Sequence, residues 1–168
     1  IGCWDGGAVY TIDNLCIENV KPSSPVYEPI DLTTPGAKYE ENFDTAGAEN
    51  YFVTTGHGTV EVKDGVLTVS KTSQWQGLKS QNIKFAKDNT YKFSFDLEVS
   101  SMSSTSFFEL IFADGTANKV SHGLADYVKI GEKVNVTFEM TLKEDATEFL
   151  VGCWDGGAVY TIDNLCIE

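Results

Sequence analysis

Apolar and polar residues alternate one by one along much of this chain, the period of a strand with one buried and one wet face. In TYKFSFDLEVS, residues 90–100, Tyr91, Phe93, Phe95, Leu97 and Val99 fall on one side, with Lys92, Ser94, Asp96 and Glu98 on the other. KVNVTFEMTL, residues 133–142, repeats the pattern through Val134, Val136, Phe138, Met140 and Leu142. GTVEV and GVLTVS alternate on either side of Lys63-Asp64-Gly65. An Asp-Gly pair between two such runs is a hairpin signal, because both residues accept the positive φ that a tight hairpin turn needs. SFFELIFAD is different: with Phe108, Leu110 and Phe112 inward, Phe107, Glu109 and Ile111 face out, so apolar groups stand on both sides. A sheet face of that kind is either covered or binding. TEFLVGCW and AVYTIDNLCIE complete the set. No window carries a convincing helical period with caps. Roughly eight to ten short strands separated by turns predict an all-β protein, a two-sheet antiparallel β-sandwich or a barrel.

The segment VGCWDGGAVYTIDNLCIE at 151–168 also stands at 1–18, with Ile1 against Val151 as the one difference in 18 positions. A tandem array of near-identical modules explains this more simply than an engineered copy, and residues 1–18 then read as the trailing strand copy of a preceding module. All four prolines, Pro22, Pro25, Pro29 and Pro35, lie in one stretch, which is extended and unsuited to a central strand. Residues 19–37 therefore read as a linker and 38–168 as one complete module. That module supplies its closing strand from 158–168, which leaves residues 8–18 as an identical strand with no slot. The expectation is self-association through residues 1–18, by strand exchange or edge addition with another molecule, giving a dimer or a head-to-tail chain.

Charge narrows the partners. The 168 residues hold 12 basic and 25 acidic side chains, a formal net charge of −13, and every basic residue is lysine. A polyanion is repelled and no guanidinium fork is present for phosphate, so nucleic acid and anionic membrane are poor partners. A neutral ligand, or a cation held by carboxylates, fits better. No apolar run is long enough to cross a bilayer. The chain begins without Met or signal peptide, inside a motif, and reads as a piece of a longer protein. Folding at the Asp-Gly-Gly turn beside Cys153 leaves Cys166 roughly 20 Å further along, too far for a disulfide. Free thiols are expected, which suits a cytosolic or anaerobic setting.

The ordered set YEENFD, GVLTVS, SQWQG, NTYKFSFDLEVSS and AVYTIDNL resembles the jelly-roll carbohydrate-binding modules of the family 4, 9, 16 and 22 type, over nearly all of 38–168. The resemblance implies a jelly roll that binds soluble polysaccharide beside a catalytic domain, here a glycoside hydrolase, and that is not itself an enzyme. It also implies a structural calcium ion, held by a carboxylate of the opening motif and the Asp of the closing strand: Asp44, with Glu41, and Asp163. Asp163 interrupts an apolar run, where an uncompensated carboxylate is costly. Either a cation or backbone amides at a bulge would account for it. One departure from the family pattern is visible: the tryptophan often found after the opening motif is here Tyr51-Phe52.

A sugar ring has an apolar face of C–H groups and a polar edge, so flat aromatic rings with amides or carboxylates around them hold it. Trp75, between Gln74 and Gln76, sits in a turn-like stretch, and Trp154 precedes Asp155-Gly156-Gly157. Each is a candidate sugar platform or else a packing cap at a sandwich end. In the resembling jelly rolls the concave sheet binds, which makes Glu109 a candidate edge contact with Gln76. Gln81 and Tyr127 are further candidates, with ordinary surface positions as the alternative. His57 and His122 lie in Gly-flanked stretches and read as loop residues. Asp96 and Glu98 alternate outward with Lys92 and Ser94, so they read as a solvated strand face rather than a glycosidase pair. No nucleophile–base pair is visible.

The sequence thus points to an extracellular or cell-surface, bacterial and anaerobic module recognising β-linked plant polysaccharide such as glucan, mannan or xylan. The alternative is a structural repeat of a surface adhesin or fibre, assembling through the duplicated strand.

Overall fold

Alternation becomes burial in the structure, a computed structural model that describes residues 27–45, 47–56, 58–70, 76–102, 108–112, 120–153 and 157–168, apart from the side chains of Gln76 and Cys153. Thirteen strands occur among these residues: β1 (Ile30–Asp31), β2 (Tyr39–Glu41), β3 (Phe52–Thr54), β4 (Thr59–Lys63), β5 (Val66–Ser70), β6 (Gln76–Ser80), β7 (Ile83–Lys84), β8 (Thr90–Ser101), β9 (Phe108–Phe112), β10 (Val120–Gly123), β11 (Lys133–Thr141), β12 (Leu150–Cys153) and β13 (Val159–Ile167). One sheet runs β11-β8-β13-β5-β4, with β2 also paired to β13. The other runs β10-β9-β12-β6-β3. The two-sheet β-sandwich expected from the sequence is the fold.

β8 and β11 are its clearest case. They pair antiparallel from Lys133↔Glu98 to Thr141↔Thr90, and Tyr91, Phe93, Phe95, Leu97 and Val99 are all buried. Phe93 stacks on Phe138 of β11 (5.4 Å, 11°) and meets Phe112 and Phe149 of the facing sheet edge-on at 5.9 and 5.5 Å. Each such ring removes enough apolar surface from water to contribute about 1.5–3 kcal/mol. The β4–β5 hairpin closes with Lys63↔Val66 around Asp64 (φ 53°) and Gly65 (φ 75°), the two left-handed residues that its Asp-Gly signature called for.

β12 and β13 hold the middle of the two sheets. β12 lies between β9 and β6, and β13 between β8 and β5. Tyr160 on β13 is fully buried and its hydroxyl joins the sheets: it donates to the Val151 carbonyl of β12 at 2.7 Å and accepts from the Leu78 amide of β6 at 3.1 Å. Cys166 is half-buried, and burial pushes its pKa up.

Two sequence expectations are corrected. The linker does not extend to residue 37: Ile30–Asp31 pairs in parallel with Ile83–Lys84, and Leu32 is buried in the core. The Tyr91 hydroxyl donates to the Leu32 carbonyl at 3.1 Å, and the Tyr51 hydroxyl to the Glu28 carbonyl at 3.0 Å. His122 is not in a loop but on β10, where its ring lies flat on Phe138 at 4.0 Å and 3°. Residues 1–18 and His57 lie outside the described residues.

Candidate functional site

Strand alternation and register assemble a site on the outer face of the five-stranded sheet. Phe108, Leu110 and Phe112 of β9, Val151 of β12 and Leu78 of β6 point into the core, so their neighbours along each strand point out. Register places these outward positions in two cross-strand rows. The first is Ser121, Ile111, Leu150, Lys79 and Val53. The second is Gly123, Glu109, Gly152 and Gly77.

The second row is chemically distinct. Glu109 is half-buried between glycines on both neighbouring strands, so neither of its register partners places a side chain beside it. Four adjacent strands at about 4.8 Å spacing make this a lane of about 14 Å. Among the described residues a Cβ built on Gly123 would meet nothing within 4 Å. Gly77 is a glycine for another reason: a Cβ there would lie 2.1 Å from the Val151 carbonyl oxygen, so β6 and β12 approach too closely for any side chain. The first row walls the lane with Leu150 and with Lys79, which is paired to Glu148 at 2.6 Å. Ile111, outward but only 4% exposed, is covered rather than offered to solvent.

Trp75 and Trp154 lie outside the described residues. Cys153 and Gln76, their neighbours in the sequence, are register partners. Gln81 and Tyr127 stand apart from the lane in structural bonds. The Gln81 side-chain amide donates to the Asn50 carbonyl at 2.7 Å, bracing the 3₁₀ turn Ala48–Tyr51. The Tyr127 hydroxyl donates to the Thr137 carbonyl at 3.2 Å. Tyr51 and Phe52 offer no flat platform: Phe52 is buried, and Tyr51 packs edge-on against Tyr27 at 6.1 Å.

The three carboxylates expected at a calcium site each have protein partners. Glu41 accepts from the Phe43 amide at 2.8 Å and the Tyr39 hydroxyl at 3.3 Å. Asp44 accepts from the Asn42 side chain at 2.8 Å and sits against the Asp64-Gly65 turn. Asp163 accepts from the Asn164 amide at 2.7 Å and from Lys133 at 3.3 Å, at a bulge where Asn164 takes φ 50°. At this bulge the Asn164 amide and the Lys133 ammonium serve Asp163 within its apolar run. Among the described residues no group of three carboxylate, imidazole or thiol side chains could hold a metal ion. Glu41, Asp44 and Asp163 thus form no such group among the described residues.

The outer face of the six-stranded sheet is polar and internally bonded. Asp96 accepts from Asn135 and Asn164, both at 3.0 Å, and these bonds hold its carboxyl below the usual carboxylate range. It stays ionised and engaged, which suits a solvated strand face and not a general acid.

No family model matches the chain, and no curated protein matches it. Solved structures do. The CBM22-1 xylan-binding domain from Paenibacillus barcinonensis superposes with a TM-score of 0.53 at 13% identity, covering 77% of this chain and 92% of that one. A CBM29-2 variant, from work on ligand recognition by family 29 carbohydrate-binding modules, gives 0.55 at 12% identity over 78% and 91% of the two chains. The CBM22-1–GH10 modules of a Clostridium thermocellum endo-1,4-β-D-xylanase, complexed with xylohexaose, give 0.53 at 15% identity over 77% and 28%. At these identities the likeness establishes the fold: this chain has the β-sandwich of carbohydrate-binding modules, as its motifs led us to expect.

Proposed function

We propose that the chain is a non-catalytic carbohydrate-binding module that takes a neutral, β-linked polysaccharide along the glycine-flanked lane of the five-stranded sheet. The observation that carries this reading is the row Gly123, Glu109, Gly152 and Gly77, in which a carboxylate lies between glycines on the outer face of four adjacent strands. In the proposal the two indoles of Trp75 and Trp154 stack on pyranose faces while Glu109 meets the hydroxyl edges. An ionised carboxylate is acceptor-only and suits hydroxyl donors. The net charge of −13 favours a neutral chain over an acidic one. Glucan, mannan and xylan belong to that class. Gln81 and Tyr127 take no part, and neither does a metal at Glu41, Asp44 and Asp163. Such a module belongs outside the cell, where polysaccharide is found, as one unit of a tandem array beside a glycoside hydrolase.

Affinity electrophoresis against a panel of neutral polysaccharides tests this. The parent chain is retarded by at least one, and Trp75→Ala and Trp154→Ala each abolish the retardation. A chain retarded by none of them favours the other reading, a structural repeat, for which the duplicated end segment is the supporting observation.

A further inference from the structure

The duplicated segment is not an arbitrary piece of the sandwich. Its copy at 151–168 contains most of β12 and all of β13, and so passes from the middle of one sheet to the middle of the other. Tyr160, Ile162, Leu165 and Ile167 are buried by that strand, and the first copy has the same residue types at Tyr10, Ile12, Leu15 and Ile17. Every contact that seats β13 is therefore encoded twice in one chain, while the sandwich has one such slot.

The leading copy also lies within reach. Ile167, at the end of the slot, pairs with Tyr39. The Tyr39 ring is 6.3 Å from that of Tyr51, whose hydroxyl reaches the Glu28 carbonyl at 3.0 Å. Those links hold Glu28 within about 25 Å of Ile167, given the ordinary dimensions of the residues between. A leading strand seated in the slot would end at residue 18. The ten residues from there to Glu28 include Pro22 and Pro25 and span about 31 Å when extended. The connection closes without disturbing β1 or β2.

We propose that residues 1–18 are an alternative closing segment for this same sandwich, so that either copy fills the slot within one chain and the displaced copy is free for a neighbouring module. The single difference sets the preference. Val151 is 1% exposed, and Ile1 would bring one more methylene into a packed position, which favours the copy at 151–168.

Ile162→Asp and Ile12→Asp in the full chain, alone and together, test this by thermal unfolding and light scattering. Ile162 is 3% exposed, so an aspartate there disables its copy. Each single variant is expected to unfold cooperatively as a monomer, and the double variant to show no cooperative transition. Loss of the transition in Ile162→Asp alone would overturn the proposal. So would a double variant that still folds, or an Ile162→Asp protein that folds only as a dimer or longer chain.

Discussion

The hydroxyl of Tyr160 lies 2.7 Å from the carbonyl oxygen of Val151, in the opposite sheet of the sandwich. It also accepts from Leu78, the register partner of Val151, so one side-chain oxygen serves a donor and an acceptor that face each other across β6 and β12. Both bonds are buried, where an unmet polar group costs about 1–3 kcal/mol. Because Tyr10 stands at the equivalent position of the first copy, the loss is measured with both tyrosines changed. Tyr10→Phe with Tyr160→Phe is expected to lower unfolding free energy by about 1–3 kcal/mol in urea. An unchanged midpoint would show that the hydroxyl is not holding the two sheets.

Stability should depend on pH through His122. Desolvation against Phe138 holds its pKa below the ordinary 6.5. The unfolded chain then takes up the proton first, so this contribution is complete above pH 6.5 and is lost as pH falls from 6.5 towards the folded value. The midpoint of thermal unfolding is expected to fall across that window, and His122→Phe, which keeps a flat ring on Phe138, to reduce the slope. An identical slope in the variant would place the titration elsewhere.

Much of this was legible in the sequence, and the exceptions have physical causes. Alternation over nine or more residues left β8 and β11 in no doubt, and Asp64-Gly65 announced its turn. His122 escaped because β10 has only four residues, too few for a period to show between glycines. The prolines at 29 and 35 suggested a linker, yet Ile30–Asp31 adds only a two-residue parallel pair at its own small sheet, where proline is tolerated beside it. Asp163-Asn164 was a bulge signal within an apolar run, since Asn accepts the left-handed conformation found there. The lane around Glu109 depends on which glycine of one strand lies opposite which residue of the next, and no local pattern encodes that.

Calcium should not matter at the expected carboxylates, because donors from the chain already hold Glu41, Asp44 and Asp163. The Tm of the parent chain is expected to be the same in excess chelator and in millimolar calcium. A calcium-dependent rise that disappears in Asp44→Asn would restore the ion.

Two of the three lane glycines should separate folding from binding. Gly77→Ala forces a Cβ onto the β12 backbone and is expected to lower Tm clearly. Gly123→Val meets nothing within 4 Å among the described residues, and surface substitutions on a strand usually change stability by less than about 0.5 kcal/mol. A marked loss of stability in Gly123→Val would mean that this end of the sheet is covered.

The direct test of the binding face is the affinity of Gly123→Val for whichever neutral polysaccharide retards the parent chain. With Tm unchanged, its branched side chain stands in the lane beside Glu109, and retardation is expected to drop at least tenfold. Retardation equal to that of the parent would mean that polysaccharide does not lie on the outer face of the five-stranded sheet.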